Sequence, residues 1–521
     1  MKSLSSRPLR RRAVGVVGAT AVALALCSCS SGSGDAVAGK PVDGGTVVVG
    51  MPSISDYLNP LVATTNPLAW VTAPIAETLY TYDDKGTSVP QLAAAEPVIS
   101  ADGLTWTVTL AEGVTFSNGD PLTADHVAAV INKVSDPKAY TDWTSYFAYF
   151  VKGAKAKDDK TVEISLAQPY GVLRSHLNNL PIIHSSTLEK NDTTIGTGPY
   201  VIDKVTQGQS VTLARNEAYR EEFEGADTLE FRAVPDAGTR LVNLREGKID
   251  VMTDVPASNV GVVEKDDSLS VDVVDAPISI LTFFNLKKAP FDDERVRQAL
   301  AYSMDRDGVS ELVYAGTADT AQGPAGPALE AYDKDLDLYP TTPDVDKAKE
   351  LLAEAGHAEG IDFTLSISSS SESTVKMAEA LAQGWEKAGI RVKIESTDAG
   401  TWATKWMQGD YQLSMTTFVT GVSAGDSAFP LFTSYASTNP MNFGYANDQL
   451  DKLLNEAWTT TDAKERGDLT RQANTILAED AVAIPPVYPK LIVAQRNDVS
   501  ELDPEQLALG RLDVASLQRL E

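Results

Sequence analysis

One stretch constrains the fold of this 521-residue chain more than any other: residues 278–300, ISILTFFNLKKAPFDDERVRQAL. Ile278, Ile280, Leu281, Phe283 and Phe284 form an apolar run rich in β-branched and aromatic side chains, which predicts a buried strand. Asn285 ends the run, and Pro290 keeps the residue before it out of helical geometry. Asp292 or Asp293 then offers a carboxylate to the free amides of a following helix, whose apolar stripe is Val296, Ala299, Leu300 and Met304. Short strands dominate before this stretch, and helices alternate with strands after it. It marks the point where the chain leaves one lobe and enters another.

Upstream, residues 46–51 (TVVVGM) are apolar on both faces and predict a buried strand. The segment that follows is broken by Asn59-Pro60 and Asn66-Pro67, a loop of the kind that contacts ligands from a rigid scaffold. Leu104, Trp106, Val108 and Leu110 alternate with threonines as a half-buried strand does. Thr123 is placed to cap a helix striped by Val127, Val130, Ile131 and Val134. Tyr140, Trp143, Tyr146, Phe147, Tyr149 and Phe150 cluster within residues 138–151, as core or lobe-contact packing. A further alternating strand spans 161–166. Downstream, a helix begins at Asp346 and is closed by Gly356. Strands at 361–367, 390–394 and 411–418 alternate with a helix striped by Val375, Ala378, Leu381 and Trp385. Helices at 450–458 and 469–477 follow. This alternation predicts an α/β lobe. The length implies about two to four domains, and 43% hydrophobic residues suffice for large cores.

Residues 1–28 read as targeting sequence: Lys2, Arg7 and Arg10 to Arg12, then an apolar run too short to span a membrane. The run ends Leu26-Cys27-Ser28-Cys29, which resembles the bacterial lipobox with Cys29 as the lipidated residue; an ordinary cleaved signal peptide is the plainer alternative. Residues 30–40 read as a flexible tether. Cys27 and Cys29 are the only cysteines, so the mature chain has no disulfide, thiol nucleophile or cysteine metal site. Removing residues 1–28 deletes five positive charges and no acid, taking the formal net charge from −28 to −33. So acidic a body is a poor partner for nucleic acid or anionic lipid. The lipid would be its membrane contact.

Catalysis finds no support. Gly421-Val422-Ser423-Ala424-Gly425 matches the nucleophile elbow of hydrolases, but that fold needs a histidine after the serine, and none follows His357. His126 and His357 read as solvated, and His176 and His184, eight residues apart, leave a shared metal open. Gly196-Thr197-Gly198-Pro199-Tyr200 lacks the rest of a phosphate-binding fingerprint.

Four blocks carry a family resemblance. The first is ISADGLTWTVTLAEGVTFSNGDPLTADHV at 99–127; the second is GTGPY at 196–200 with Arg215-Asn216 and Tyr219. Asn285, Ala289-Pro290-Phe291, Asp293, Arg295-Val296-Arg297-Gln298-Ala299 and Met304-Asp305-Arg306 form the third, and Ala348-Lys349, Leu351-Leu352 and Ala355-Gly356 the fourth. In this order, over roughly residues 45–490, they resemble the family 5 extracellular solute-binding proteins, the dipeptide, oligopeptide and nickel-binding lipoproteins of ABC importers. The resemblance implies a periplasmic-binding-protein type II-like α/β fold with two lobes. Residues 43–78, 186–274 and 486–521 would form the first domain, 79–185 a domain inserted in it, and 275–485 the second lobe. A ligand would be enclosed where the hinge crossings meet, near Asp275 and Pro485, and closure would present the bound state to the permease. It also implies a monomer without cofactor that binds a short peptide; a nickel chelate, opine or oligosaccharide, or a lipid-anchored hydrolase, remain the alternatives. Expected ligand contacts are Thr65, Phe283, Asn285, Trp402, Phe418, Thr420, Asp426 and Tyr488. Oligopeptide-binding members present an Asp to the peptide ammonium. Around residues 418–422 this chain has none, which leaves Asp426 as the nearest carboxylate.

Overall fold

Three β-sheets organise the chain in the computed structural model, which describes residues 40–42, 44–139, 141–419, 426–439 and 442–521, with backbone alone for 418 and 419. Cys29, Tyr140, Thr420, the motif at 421–425 and the side chain of Phe418 lie outside the described residues.

The first sheet has seven strands in the order Leu269–Asp275, Lys490–Arg496, Val251–Met252, Thr46–Met51, Thr228–Ala233, Ser210–Arg215 and Tyr200–Thr206. Thr46–Met51 is central and runs parallel to both neighbours; the other pairings are antiparallel. Its Val47 and Val49 are fully buried, as a continuous apolar run requires. The second sheet is antiparallel throughout, ordered Val98–Ile99, Thr105–Thr109, Thr161–Leu166 and Val151–Asp158. The helix Ala124–Ser135 lays Val127, Val130, Ile131 and Val134 onto it. Thr123 is at the helix start but caps nothing with its side chain; its hydroxyl meets His126 Nδ1 at 2.9 Å instead.

The third sheet is ordered Ile278–Phe284, Leu413–Val419, Ile361–Ser368 and Ile390–Thr397. The first pair is antiparallel, and the other two pairings are parallel. Parallel neighbours need a long crossover, and the helix Glu372–Glu386 supplies it between Ile361–Ser368 and Ile390–Thr397. At the head of this lobe Asp293, not Asp292, caps the helix Glu294–Tyr302, accepting from Arg295 N at 2.9 Å.

The chain passes from the first sheet to the third through Ala276 and Pro277, and returns through Val487–Tyr488 into Lys490–Arg496. Lys490 ties both passages together through Asp275 and Asp319. Burial alone would lower the Lys490 pKa, but the hydrogen bonds to these two carboxylates outweigh it and hold the ammonium above its usual range. No helix among the described residues is long and apolar enough to cross a membrane.

Candidate functional site

A chamber of about 660 Å³ opens between the seven-stranded body and the segment carrying the second sheet, within the range of about 300–1,000 Å³ usual for ligand cavities. The short helix Asn66–Thr72, started by Pro67 in its first turn, supplies Asn66, Leu68, Trp70 and Thr72 to one wall. Its end is seated by the GTGPY block. A Cβ on Gly196 or Gly198 would come within 2.0 Å of Ile75 O or 2.4 Å of Pro74 O, so these glycines serve close backbone packing. Trp143 and Asn178 reach the chamber from the other side, and Trp143 Nε1 donates to Pro60 O at 2.9 Å. Glu77, 5% exposed, also borders it but is neutralised by Arg220 through two bonds of 2.6 and 2.8 Å.

The C-terminal tail completes the wall. Asp503 caps the helix Pro504–Ala508, and Gly510 ends it at φ +75°, with Arg511 N donating back to Gln506 O at 2.9 Å. Trp70 Nε1 donates to Gly510 O at 3.2 Å and fixes the tail on the opposing helix. Arg511, Leu512, Asp513 and Val514 therefore all border the chamber, with Leu512 and Val514 almost fully buried. Arg511 donates to Thr81 Oγ1 at 3.0 Å and lies 5.8 Å from the centre of the Tyr82 ring. Asp513 accepts from Ala515 N at 3.2 Å. Burial pushes the guanidinium of Arg511 down and the carboxyl of Asp513 up from their ordinary values. Asp513 has exposed surface by area and is nonetheless desolvated, because what it exposes is chamber wall.

Phe283, Asn285, Trp402 and Tyr488 do not border this chamber. Phe283 is 7% exposed, packed against Trp406 at 5.3 Å and stacked on Tyr435. Asn285 is buried, donating to Gly409 O at 2.9 Å and accepting from Lys287 N. Tyr488 is buried beside the return passage, its hydroxyl donating to Gly323 O at 2.8 Å. Trp402 donates to Ser414 Oγ at 3.1 Å and stacks on Trp406. Thr65 begins the helix Asn66–Thr72; its neighbours Thr64 and Asn66, not Thr65 itself, border the chamber. Alongside the Ile278–Phe284 strand, Ser279, Leu281, Ala325, Ser427 and Tyr435 enclose only about 10 Å³, room for one water at most. Apolar side chains fill that position.

Asp426 is buried and ion-paired within the protein. It is 3% exposed, and its Oδ2 lies 3.0 Å from Arg466 Nε and accepts from Ser175 Oγ at 3.0 Å. Arg466 Nε also lies 3.3 Å from Glu330 Oε1. The N–H is aligned on neither oxygen, so the attraction is coulombic. Burial, then the charge of Asp426, pushes the Glu330 pKa up to about 8. Around this trio Tyr170, Phe150, Phe429 and Phe432 pack on Trp458, and Gly171 N donates to Trp458 O at 2.9 Å. The aromatic cluster thus joins the second-sheet segment to the third-sheet lobe, although Tyr149 is 78% exposed. The histidines also differ from expectation. His176 is buried among Tyr146, Tyr170 and Phe429, and His184 meets His126 instead, ring centres 4.6 Å apart. His126 is half-buried, and burial lowers its pKa.

Comparison with known proteins supplies the family. Residues 87–440 match the bacterial extracellular solute-binding proteins, family 5 Middle. The chain belongs to this family. The family 5 chain is 29% identical to the glutathione-binding protein GsiB of Escherichia coli (strain K12) over 433 residues, covering 80% of this chain and 84% of GsiB. Its fold is similar to the periplasmic binding protein DppA of Helicobacter pylori in complex with the peptide STSA, at a TM-score of 0.77 and 24% identity over 92% of this chain and 99% of that one. It is also similar to NikA of Staphylococcus aureus in complex with Ni(L-His)2, at a TM-score of 0.72 and 23% identity over 91% of this chain and all of that one. The family 5 chain is a solute-binding receptor of an ABC importer, with two lobes and an additional domain.

Nothing in the sequence drew attention to Arg511 and Asp513. The signal that could have found them is a charged pair, Arg511-x-Asp513, just after a helix-ending glycine in the otherwise apolar tail LALGRLDVASL.

Proposed function

We propose that this receptor captures short peptides in the 660 Å³ chamber and releases them to its permease, held at the membrane through a lipid on Cys29 and acting as a monomer. The observation that carries the reading is the make-up of the chamber. Apolar and aromatic walls (Leu68, Trp70, Trp143, Phe223) alternate with amide and hydroxyl groups (Asn66, Thr81, Gln91, Asn178). A peptide presents apolar side chains and backbone hydrogen-bonding groups in the same mixture, and a site for it must satisfy both. The glutathione-binding protein GsiB and DppA in complex with the peptide STSA support the same class of ligand. Native mass spectrometry of the purified protein should find a di- to tetrapeptide, and added peptide should be recovered unchanged. Retention of a nickel chelate or an opine, with no peptide bound, would overturn the reading. For the anchor, Cys29→Ala should abolish lipidation and release the protein from membranes, and a processed, membrane-bound Cys29→Ala protein would refute it.

A further inference from the structure

We propose that the seam between the second-sheet segment and the third-sheet lobe is a proton-operated latch: Arg466 serves Asp426 and Glu330 at once, and the seam closes with the uptake of one proton by these two carboxylates. The receptor therefore closes more readily in acid than in alkali. The third-sheet lobe is joined to the rest of the chain only through Ala276 and Pro277 and through Val487–Tyr488. No chain crosses the seam, so it can part as the lobe moves about those two passages. What holds it shut converges on Arg466. Its Nε lies 3.0 Å from Asp426 Oδ2 and 3.3 Å from Glu330 Oε1, and its Nη1 donates to Thr460 O at 3.3 Å. Asp426 and Thr460 are both met from across the seam. Ser175 Oγ donates to Asp426 Oδ2 at 3.0 Å, and Gly171 fits so closely that a Cβ on it would stand 2.0 Å from Thr460 O. Gly171 N donates to Trp458 O at 2.9 Å beside them.

One guanidinium thus faces two carboxylates, and no Lys or Arg other than Arg466 lies within 4.0 Å of either among the described residues. With both ionised, the closed seam holds an uncompensated negative charge beside Tyr170, Phe429 and Trp458, an unfavourable arrangement away from water. A proton on one carboxylate removes it. Burial, then the charge of Asp426, holds the Glu330 pKa well above its ordinary value in accord with this. Once the seam parts, water reaches both carboxylates and neither needs the proton, so opening releases it. Of the other groups around the trio, Tyr170 and Tyr82 sense Asp426, but burial pushes both hydroxyls above their ordinary range, out of reach of neutral pH. Arg471 donates to the Glu330 backbone carbonyl at 3.3 Å and pairs with Asp468 at 2.8 Å. His176, on the same helix as Ser175, packs edge-on against Phe429 with ring centres 5.2 Å apart, and is the rival titrating group.

The test needs no solute, so its outcome is independent of the peptide reading. In the full mature chain, hydrogen exchange resolved to single residues follows the Gly171 amide, corrected for the pH dependence of intrinsic exchange. Its protection should fall about 10- to 100-fold from about pH 6 to about pH 9, as expected where opening releases one proton. Glu330→Gln carries the neutral form permanently, so it should abolish the fall and keep the protection seen in acid at every pH. Ile164, fully buried in the second sheet, should stay better protected than Gly171 throughout, because the seam parts without unfolding; its protection in Glu330→Gln also shows that the variant is folded. Protection of Gly171 that is independent of pH in the native protein would overturn the proposal. A fall that survives Glu330→Gln would overturn it as well, and would move the titration to His176 or another group. Equal protection of Gly171 and Ile164 would do the same, since the seam would then part only with the whole fold.

Discussion

Two regions of this molecule hold charge drawn back from bulk water, and they differ in what meets it. At the contact between the second-sheet segment and the third-sheet lobe, Arg466 sits between Asp426 and Glu330, Ser175 donates to Asp426, and an aromatic cluster seals the site. In the chamber, Arg511 and Asp513 face a cavity of about 660 Å³ without a partner of opposite charge within bonding distance among the described residues. A charge met inside the protein serves the fold, because losing one partner strands the other in low dielectric. A charge left unmet at a cavity wall leaves its coulombic attraction to a ligand.

Variants should separate the two regions, beginning with the largest effect. Arg466→Met leaves two carboxylates facing each other in a buried site, and should cost about 3–5 kcal/mol in denaturant unfolding; a loss below about 1 kcal/mol would show that the trio is not what secures this contact. Gly171→Ala comes next. Its Cβ would stand 2.0 Å from Thr460 O, a backbone atom that cannot rotate away, so the contact must open. A loss of about 1–3 kcal/mol is expected, with faster exchange of the Gly171 amide bonded to Trp458 O; unchanged exchange would count against a tight seam.

Glu330 adds a pH signature. Its folded pKa, about 8, is raised above its ordinary 4.5 by burial and by Asp426, against the pull of Arg466. The folded state therefore holds more protons than the unfolded state between these values, and the contribution of this group to stability falls as pH rises from about 4.5 to about 8. Glu330→Gln should flatten the stability profile in that window; an unaltered profile would assign the titration elsewhere.

The chamber should behave oppositely. Asp513 is held above its ordinary pKa by burial, with Arg511 pulling it down and Asp503 adding to the rise. A cationic solute group beside it would favour the carboxylate, so binding of such a solute in the chamber should release protons and strengthen as pH rises above the usual carboxylate range. Calorimetry in buffers of different ionisation enthalpy reads that release, and its absence would show that Asp513 meets no cationic group of the solute. The smallest effect is on stability. Arg511→Met should cost about 1 kcal/mol in unfolding, the worth of its hydrogen bond to Thr81 Oγ1, and a loss of about 3–5 kcal/mol would move Arg511 into the same class as Arg466.

The sequence alone determined most of the fold. The apolar run at 278–284, the Asp293 cap and the stripe Val296, Ala299 and Leu300 place the crossing into the third-sheet lobe, and the alternation around Trp106 and Val108 places the second sheet. These are local patterns: a period of two or of 3.6 records which face of an element is buried, wherever that element is later packed. The site was not legible in the same way. Phe283, Asn285 and Tyr488 look like cleft residues in the chain, and are buried in packing in the fold. Asp426 and Arg511 look alike as charged residues near apolar runs, yet one has a counter-ion 40 positions away and the other has none within 4.0 Å among the described residues. Whether a charge is spent on the protein or left for a ligand depends on which segments distant in sequence come together. Only tertiary structure decides that, because coulombic matching acts through space and leaves no period in the chain.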